Sequence, residues 1–298
     1  MASVALEVLK TTRPHQWVKN VFVLAPMVFS EHLDDPEEIL RSVAAFLLFC
    51  AFSGCVYILN DLLDVEADKV HPVKKNRPIP SGRLPIGKAR MALGLLLVGA
   101  TAGAFALSVG FGAIALGYFV FNIGYSVVLK HIAFVDVAAI ATGFMLRLLG
   151  GGLAIDVPLS FWLVLCTFLL SVYLALGKRK HELVAVGAGK KKQRPVLEKY
   201  SLAAVRVVML VCAAATFGSY TAYTLVGETV SSFSPRDLIW TLPCVAFGVF
   251  RFQQLVDRSD DSRSPTDLML RDWPFVLNLM LYGVIVIGVI YLAPASGS

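Results

Sequence analysis

Apolar residues in this chain come in long runs broken by short polar segments, and the run lengths read as membrane crossings. Residues 91–129 hold no Asp, Glu, Lys or Arg, and these 39 residues exceed the roughly 20 needed to cross the hydrocarbon core once, so they predict two crossings. The glycine- and serine-rich stretch Ser108-Val109-Gly110-Phe111-Gly112 is the expected turn between them. The same reasoning predicts nine helices, near 16–30, 38–59, 91–107, 112–129, 134–154, 160–177, 202–226, 238–254 and 273–293, of which the first and eighth are short. The expected fold is an all-α, polytopic membrane bundle forming one domain over residues 1–298.

Charge supplies an independent check on this topology. The N-terminal tail and the loops near 60–90, 130–133, 178–201 and 253–272, with adjoining helix ends, carry 24 of the 27 Lys and Arg. Arg41 and Arg236 fall on the opposite side and Arg147 inside a span. The positive-inside rule then places the basic loops and the N-terminus in the cytoplasm and the C-terminus outside, with the acidic loop Glu31-His32-Leu33-Asp34-Asp35 opposite. Met1 to Asn20 lacks an apolar core followed by a small-residue cleavage site, so no cleavable signal is expected and the protein is expected to stay in the cell's inner membrane.

Composition agrees, since 57% of residues are hydrophobic, only 16% are charged and the mean hydropathy is +0.70. Soluble chains carry about 25% charged residues, which excludes a soluble enzyme. The net charge of +6 suits anionic lipid and phosphorylated substrates on the cytoplasmic face, and nucleic acid is an unnecessary partner. Cys50, Cys55, Cys166, Cys212 and Cys244 lie in predicted spans without metal-ligand spacing and read as packing residues. Gly187-Ala188-Gly189-Lys190-Lys191-Lys192 reads as a flexible basic loop. Gly94, Gly99 and Gly103 permit close helix contacts within one subunit or between two, which leaves an oligomer open.

The candidate chemistry sits where an apolar run ends, at Asn60-Asp61-Leu62-Leu63-Asp64-Val65-Glu66-Ala67-Asp68. On a helix Asn60, Asp64 and Asp68 follow at four-residue steps with Asp61 beside them, so all four share a face. Such a face repels itself unless a cation fills it, and hard oxygen ligands suit Mg²⁺, which completes its shell with water and substrate phosphate. A solvated face paired with nearby lysines is the plainer alternative. Lys69, Lys74, Lys75, Arg77 and Arg83 follow, in a loop stiffened by Pro72, Pro78 and Pro80 that can hold Lys75 and Arg77 over a metal-bound diphosphate.

Further polar groups lie on the same side. Arg13 and Lys19 flank Trp17 at headgroup level, either as an interfacial anchor or as a grip on substrate phosphate. Asn122, Tyr125 and Ser126 share a face, followed by Lys130, His131, Asp136 and the intramembrane Arg147, which needs an anion from another helix or a polar cavity. The loop after the sixth helix reads Lys178-Arg179-Lys180-His181-Glu182, where Lys178, Arg179 and Glu182 are candidates for substrate contact. Asp267 and Arg271, with Asp272 adjoining, read as an ion pair closing the last cytoplasmic loop.

Asn60, Asp61, Asp64 and Asp68 match the Asn-Asp-x-x-Asp-x-x-x-Asp motif, and together with Arg77-Pro78-Ile79, Ser81-Gly82 and the nine-helix plan the chain resembles the UbiA-type superfamily of intramembrane prenyltransferases over nearly its whole length. The resemblance implies a central cavity, open to the cytoplasm and laterally to lipid, that binds a diphosphate through Mg²⁺. Typical members carry a second aspartate-rich motif between helices six and seven. This chain has Gly177-Lys178-Arg179-Lys180-His181-Glu182 there, which is similar to the phosphoribosyltransferase branch, as are Arg13-Pro14-x-Gln16-Trp17-Val18-Lys19-Asn20 and Arg147 with Gly151-Gly152.

That branch implies phosphoribosyl pyrophosphate as donor and a polyprenyl (decaprenyl-type) phosphate as acceptor, in the making of a lipid-linked arabinose precursor. The resemblance implies Asn60, Asp61, Asp64 and Asp68 as the metal set, Asp61, Asp64 and Lys178 as catalytic groups, and Lys19, Asn60, Lys75, Arg77, Tyr125, Lys130, Arg147, Lys178, Arg179 and Glu182 as substrate contacts. Two readings remain beside it: a prenyltransferase that ionises an allylic diphosphate, and a lipid-binding or transport protein.

Overall fold

The computed structural model describes residues 3–30, 33–187, 195–226, 235–257 and 264–292; Glu31 and His32 of the acidic loop and 188–192 of the basic loop lie outside them. Among the described residues the chain is helical throughout and forms no strand, and eight helices are long and apolar enough to cross a membrane. The described residues form two compact units, one of 3–27, 33–127 and 146–158, the other of the remainder.

The first unit is built on α3 (Pro36–Leu63). Asp35 caps it by accepting from the Glu37 and Glu38 amides, Pro36 fills a position that needs no donor, and both glutamates meet the positive helix end. Phe49, Phe52, Cys55 and Ile58 on α3 are wholly buried. They pack on α5 (Ile86–Leu107) and α6 (Val109–Val127), whose Ala104 and Ala115 are small enough to let the helices close. The Phe49 ring lies 5.7 Å from Phe111 and 5.5 Å from Tyr118.

The segment expected as a first helix at 16–30 takes another form. After α1 (Val4–Thr11), Arg13 is left-handed (φ 53), Pro14–Val23 winds as a 3-10 helix, and α2 (Ala25–Phe29) follows. Pro14 and Pro26 lack amide donors, and His15, Gln16, Lys19 and Asn20 interrupt the apolar stripe, so a long α-helix is not favoured. The segment runs antiparallel to α3, because Arg13 meets Asp61 while Asn20 meets Ser53 and Cys50. Seven residues thereby pass eight of α3, about 12 to 14 Å, which the steeper 3-10 rise of about 2.0 Å per residue allows.

α7 (Val135–Ala154) approaches this segment at Gly151, where a Cβ would fall inside the van der Waals sphere of the Val23 carbonyl oxygen. Gly151→Ala is therefore expected to cost about 1–3 kcal/mol by overpacking backbone against backbone. A lowered melting temperature in detergent checks it, and an unchanged one contradicts the contact.

Two other boundaries differ from expectation. The turn between α5 and α6 is the single residue Ser108 (φ −165, ψ 139), and Gly112 serves packing instead, since a Cβ there would lie 2.7 Å from Phe105 Cγ. α8 (Phe161–Gly187) continues ten residues beyond the expected end at 177, so Lys178 to Glu182 lie on a helix and not in a loop. These residues are good helix formers, and ion pairs to Glu182 and Asp257 neutralise two of the three cations.

In the second unit α8 packs on α9 (Leu202–Val226) and α10 (Leu242–Val256) through Tyr173, Leu176, Met209, Phe252 and Val256. α11 (Pro265–Arg271) starts with a capping box between Ser264 and Asp267. The ion pair expected to close this loop is made by Asp272, which takes Arg251 at 2.9 and 2.7 Å and also caps α12 (Trp273–Ile287) through the Phe275 amide. Large apolar side chains such as Leu95, Val98, Val211, Met280 and Val284 are exposed, which fits a surface solvated by lipid. The five cysteines are free, as packing residues should be.

Candidate active site

Helix α3 breaks at Asp64 (φ −95, ψ 8), and α4 (Val65–Lys69) resumes at once. The four-residue hydrogen bonds survive the break, from the Asp64 amide to Asn60 O (2.9 Å) and from the Asp68 amide to Asp64 O (2.8 Å). Asp61 and Asp68, seven residues and two turns apart, therefore come together, and both are buried. Asn60 and Asp64 are half-buried.

Cations crowd the two buried carboxylates. Arg77 Nη1 lies 3.1 Å from Asp61 Oδ1 and 2.6 Å from Asp68 Oδ2, Arg13 Nη2 lies 2.5 Å from Asp61, and Lys74 Nζ lies 3.4 Å from Asp68 Oδ1. The Arg13 guanidinium also covers the Tyr57 ring at 4.7 Å. The loop behind Arg77 is rigid: Pro78, Ile79 and Pro80 are buried, Gly82 takes φ 78, and Arg83 staples it to Glu7 of α1 (3.1 Å) and to Asn76 O (2.5 Å). His71 Nδ1 accepts from the Val73 and Lys74 amides, and burial, then the Lys74 charge, pushes its pKa down. Lys75 stands exposed at the rim.

Among the described residues no three His, Cys, Asp or Glu side chains converge as a metal cluster, so the structure does not gather all of the expected four-residue metal set. Asp61 and Asp68 nevertheless share one cationic nitrogen between them. That spacing fits Mg²⁺, which takes one or two carboxylates and fills its shell with water and phosphate oxygens.

Arg147 is buried within the first unit. Its Nε donates to Asn20 Oδ1 (2.7 Å), its Nη2 to Tyr118 Oη (2.8 Å) and Ser53 Oγ (3.5 Å), and it lies 4.6 Å from the Tyr118 ring centroid. Asn20 also accepts from Ser53 Oγ and donates to Cys50 Sγ. The network, with Arg147 at its centre, ties the 3-10 segment to α3, α6 and α7. Sequence reasoning missed Asn20 as the hub; the polar Asn inside a predicted span was its signal. Lys19 and Tyr125 are half-buried in the same unit.

The second unit holds its own polar cluster. Arg179 is wholly buried, with Nη1 2.6 Å from Glu182 Oε2 and Nε 3.4 Å from Asp136 Oδ2. Asp136, also wholly buried, accepts from Tyr200 Oη at 2.5 Å, and Tyr200 in turn accepts from the Phe134 amide. Burial, then the Asp136 hydrogen bond, raises the Tyr200 pKa, so its phenol stays a donor. Arg179 Nη2 and His181 Nε2 are buried with no hydrogen-bond partner among the described residues. Lys178 and Lys130 are half-buried, and Lys180, not singled out from sequence, is buried against Asp257.

Comparison with known proteins gives the family. The family described as "UbiA prenyltransferase family" matches residues 21–292. The chain is 32% identical to decaprenyl-phosphate phosphoribosyltransferase of Corynebacterium glutamicum, covering 96% of this chain and 87% of that one. It is 31% identical to the protein of that name from Mycobacterium tuberculosis, covering 91% and 90%. A solved UbiA homolog from Archaeoglobus fulgidus, bound to DMAPP and Mg²⁺, superposes with a TM-score of 0.70 at 16% identity over 96% of this chain and 100% of that one, a likeness of fold. With that profile match, that identity across most of both chains, and the Asn60 to Asp68 motif at the end of α3, this multi-pass membrane protein belongs to the UbiA prenyltransferase family.

Proposed function

We propose that this chain, acting as one membrane domain, transfers 5-phosphoribose from phosphoribosyl pyrophosphate to a polyprenyl phosphate and releases pyrophosphate. The names of its relatives support the reaction, and the observation that carries it is the makeup of the second cluster. Where a second metal site would need converging carboxylates, Arg179 stands with a buried, unpartnered donor between Asp136 and Glu182. Spare cationic donors suit a phosphate such as the 5-phosphate of the donor, and not a second metal.

Asp61 and Asp68, with Asp64 and Asn60 adjoining, would hold Mg²⁺, which when bound neutralises the diphosphate and stabilises the departing pyrophosphate. Arg77, Lys74 and Lys75 donate to diphosphate oxygens, and Lys19 contacts substrate from the 3-10 segment. Lys178 and Arg179 take the 5-phosphate, Glu182 orients Arg179, and Tyr125 and Lys130 contact substrate from the ends of their helix and turn. The acceptor phosphate already carries an anionic oxygen, so attack on ribose C1 needs no general base. Cations at the leaving group favour C1–O cleavage as positive charge develops on the ribosyl centre.

The 3-10 segment and α2 support nine crossings, with the N-terminus cytoplasmic and the C-terminus outside, since ten residues rising about 2.0 Å each and five rising about 1.5 Å each reach nearly the ~30 Å of the core. The reaction is tested by pyrophosphate release from purified protein. Release is expected with Mg²⁺, phosphoribosyl pyrophosphate and polyprenyl phosphate, and loss of it with EDTA. Release from an allylic prenyl diphosphate, and none from phosphoribosyl pyrophosphate, returns the chain to ordinary prenyl transfer.

A further inference from the structure

The geometry points to a second ligand site, for a lipid phosphate, in the groove of about 460 Å³ between α8, α9 and α10, lined by Lys180, Arg206, Val207, Leu210, Gln253 and Asp257. None of these residues belongs to the catalytic set above.

The groove is graded from charge to hydrocarbon. Arg206 lies just over one turn into α9, is exposed, and has no hydrogen bond or ion pair among the described residues. A 25-residue helix is about 37 Å long against ~30 Å of hydrocarbon, so its end reaches headgroup depth and the long Arg206 side chain extends toward it. Val207 beside it and Leu210 one turn on are 63% and 65% exposed and face the region of lipid chains. A cation on such a face is costly unless it meets an anion, and basic pockets between helices at the cytoplasmic surface take lipid headgroups.

The wall opposite is built for the same ligand. Lys180 is buried along its stem, and its ammonium reaches Asp257 at 2.8 Å, where the carboxylate is 44% exposed. Two cations against one carboxylate leave the groove at +1, which suits an anionic lipid phosphate. Gln253 Oε1 accepts from Tyr173 Oη at 3.4 Å, which turns its amide nitrogen into the remaining donor. A phosphate on Arg206 and Gln253, with its chain along Val207 and Leu210, satisfies every group present. An anionic phospholipid and a polyprenyl phosphate share this chemistry; the second source rests on the reaction proposed above, the first does not.

Native mass spectrometry of the delipidated protein in detergent separates them, with phosphatidylglycerol titrated in one series and a polyprenyl phosphate in another. Arg206→Gln is expected to weaken lipid binding by about tenfold, the worth of one charge-assisted hydrogen bond. Arg206→Lys, which keeps the charge, should retain most of it, and Lys88→Gln, an exposed cation at the start of α5, should change nothing. Loss of the phosphatidylglycerol adduct, with the KM for polyprenyl phosphate unchanged, assigns the groove to a bilayer lipid. Loss of the polyprenyl phosphate adduct with a raised KM assigns it to the acceptor. Equal occupancy of both lipids in wild type and Arg206→Gln overturns the inference, whether or not the protein turns over.

Discussion

Asp61→Ala is expected to lower kcat by roughly 10³-fold or more, because it removes one of the two carboxylates proposed to hold Mg²⁺ and, through it, the diphosphate. The same carboxylate pairs with Arg13 and Arg77, so the variant takes an anion from both, although Arg77 keeps Asp68. Removing one partner of a fully buried pair costs about 3–5 kcal/mol, but Arg13 and Arg77 are 24% and 29% exposed, so water absorbs part of that loss. A destabilisation of about 1–3 kcal/mol is expected, too small to explain the loss of turnover. Asp61→Asn, which keeps the size and removes the charge, separates the effects: folding close to wild type with turnover still lost. Magnesium-dependent activity at the wild-type level in Asp61→Ala contradicts the assignment.

Asp136→Ala is expected to have the largest effect on stability. Its carboxylate and the Arg179 guanidinium are both wholly buried, so among the described residues Glu182 alone remains to offset the Arg179 charge. The cost is about 3–5 kcal/mol, a fall in melting temperature on the order of ten degrees for a chain of this size. The double variant Asp136→Leu with Arg179→Met replaces the pair by apolar side chains and is expected to recover most of that stability without recovering activity. Thermal unfolding in detergent with a parallel turnover assay checks both halves. A double variant as active as wild type would show that Arg179 serves packing alone.

Much of the fold was legible because a bilayer leaves few choices. The uncharged stretch 91–129 must cross twice, and α5 and α6 do so with the turn at Ser108 inside the expected stretch. The Asn60 to Asp68 spacing likewise survived the break at Asp64, since the four-residue hydrogen bonds carry through it. What stayed hidden depends on partners distant in sequence. The need of Arg147 for a polar partner was legible, but not that Asn20, 127 residues away, is one. Lys178 to Glu182 looked like a loop because charge ends most spans, yet the Lys180 pair with Asp257, 77 residues on, lets α8 continue. The 3-10 segment could not be read from periodicity, because Pro14, Pro26 and the polar residues between them break an apolar run that otherwise has the length of a span.

The most direct test is mass spectrometry of the lipid after incubating the purified protein with Mg²⁺, phosphoribosyl pyrophosphate and a polyprenyl phosphate. A lipid that has gained one phosphoribose, formed by wild type and not by Asp61→Asn, is the expected result. An unmodified lipid from protein that instead consumes a prenyl diphosphate contradicts phosphoribosyl transfer.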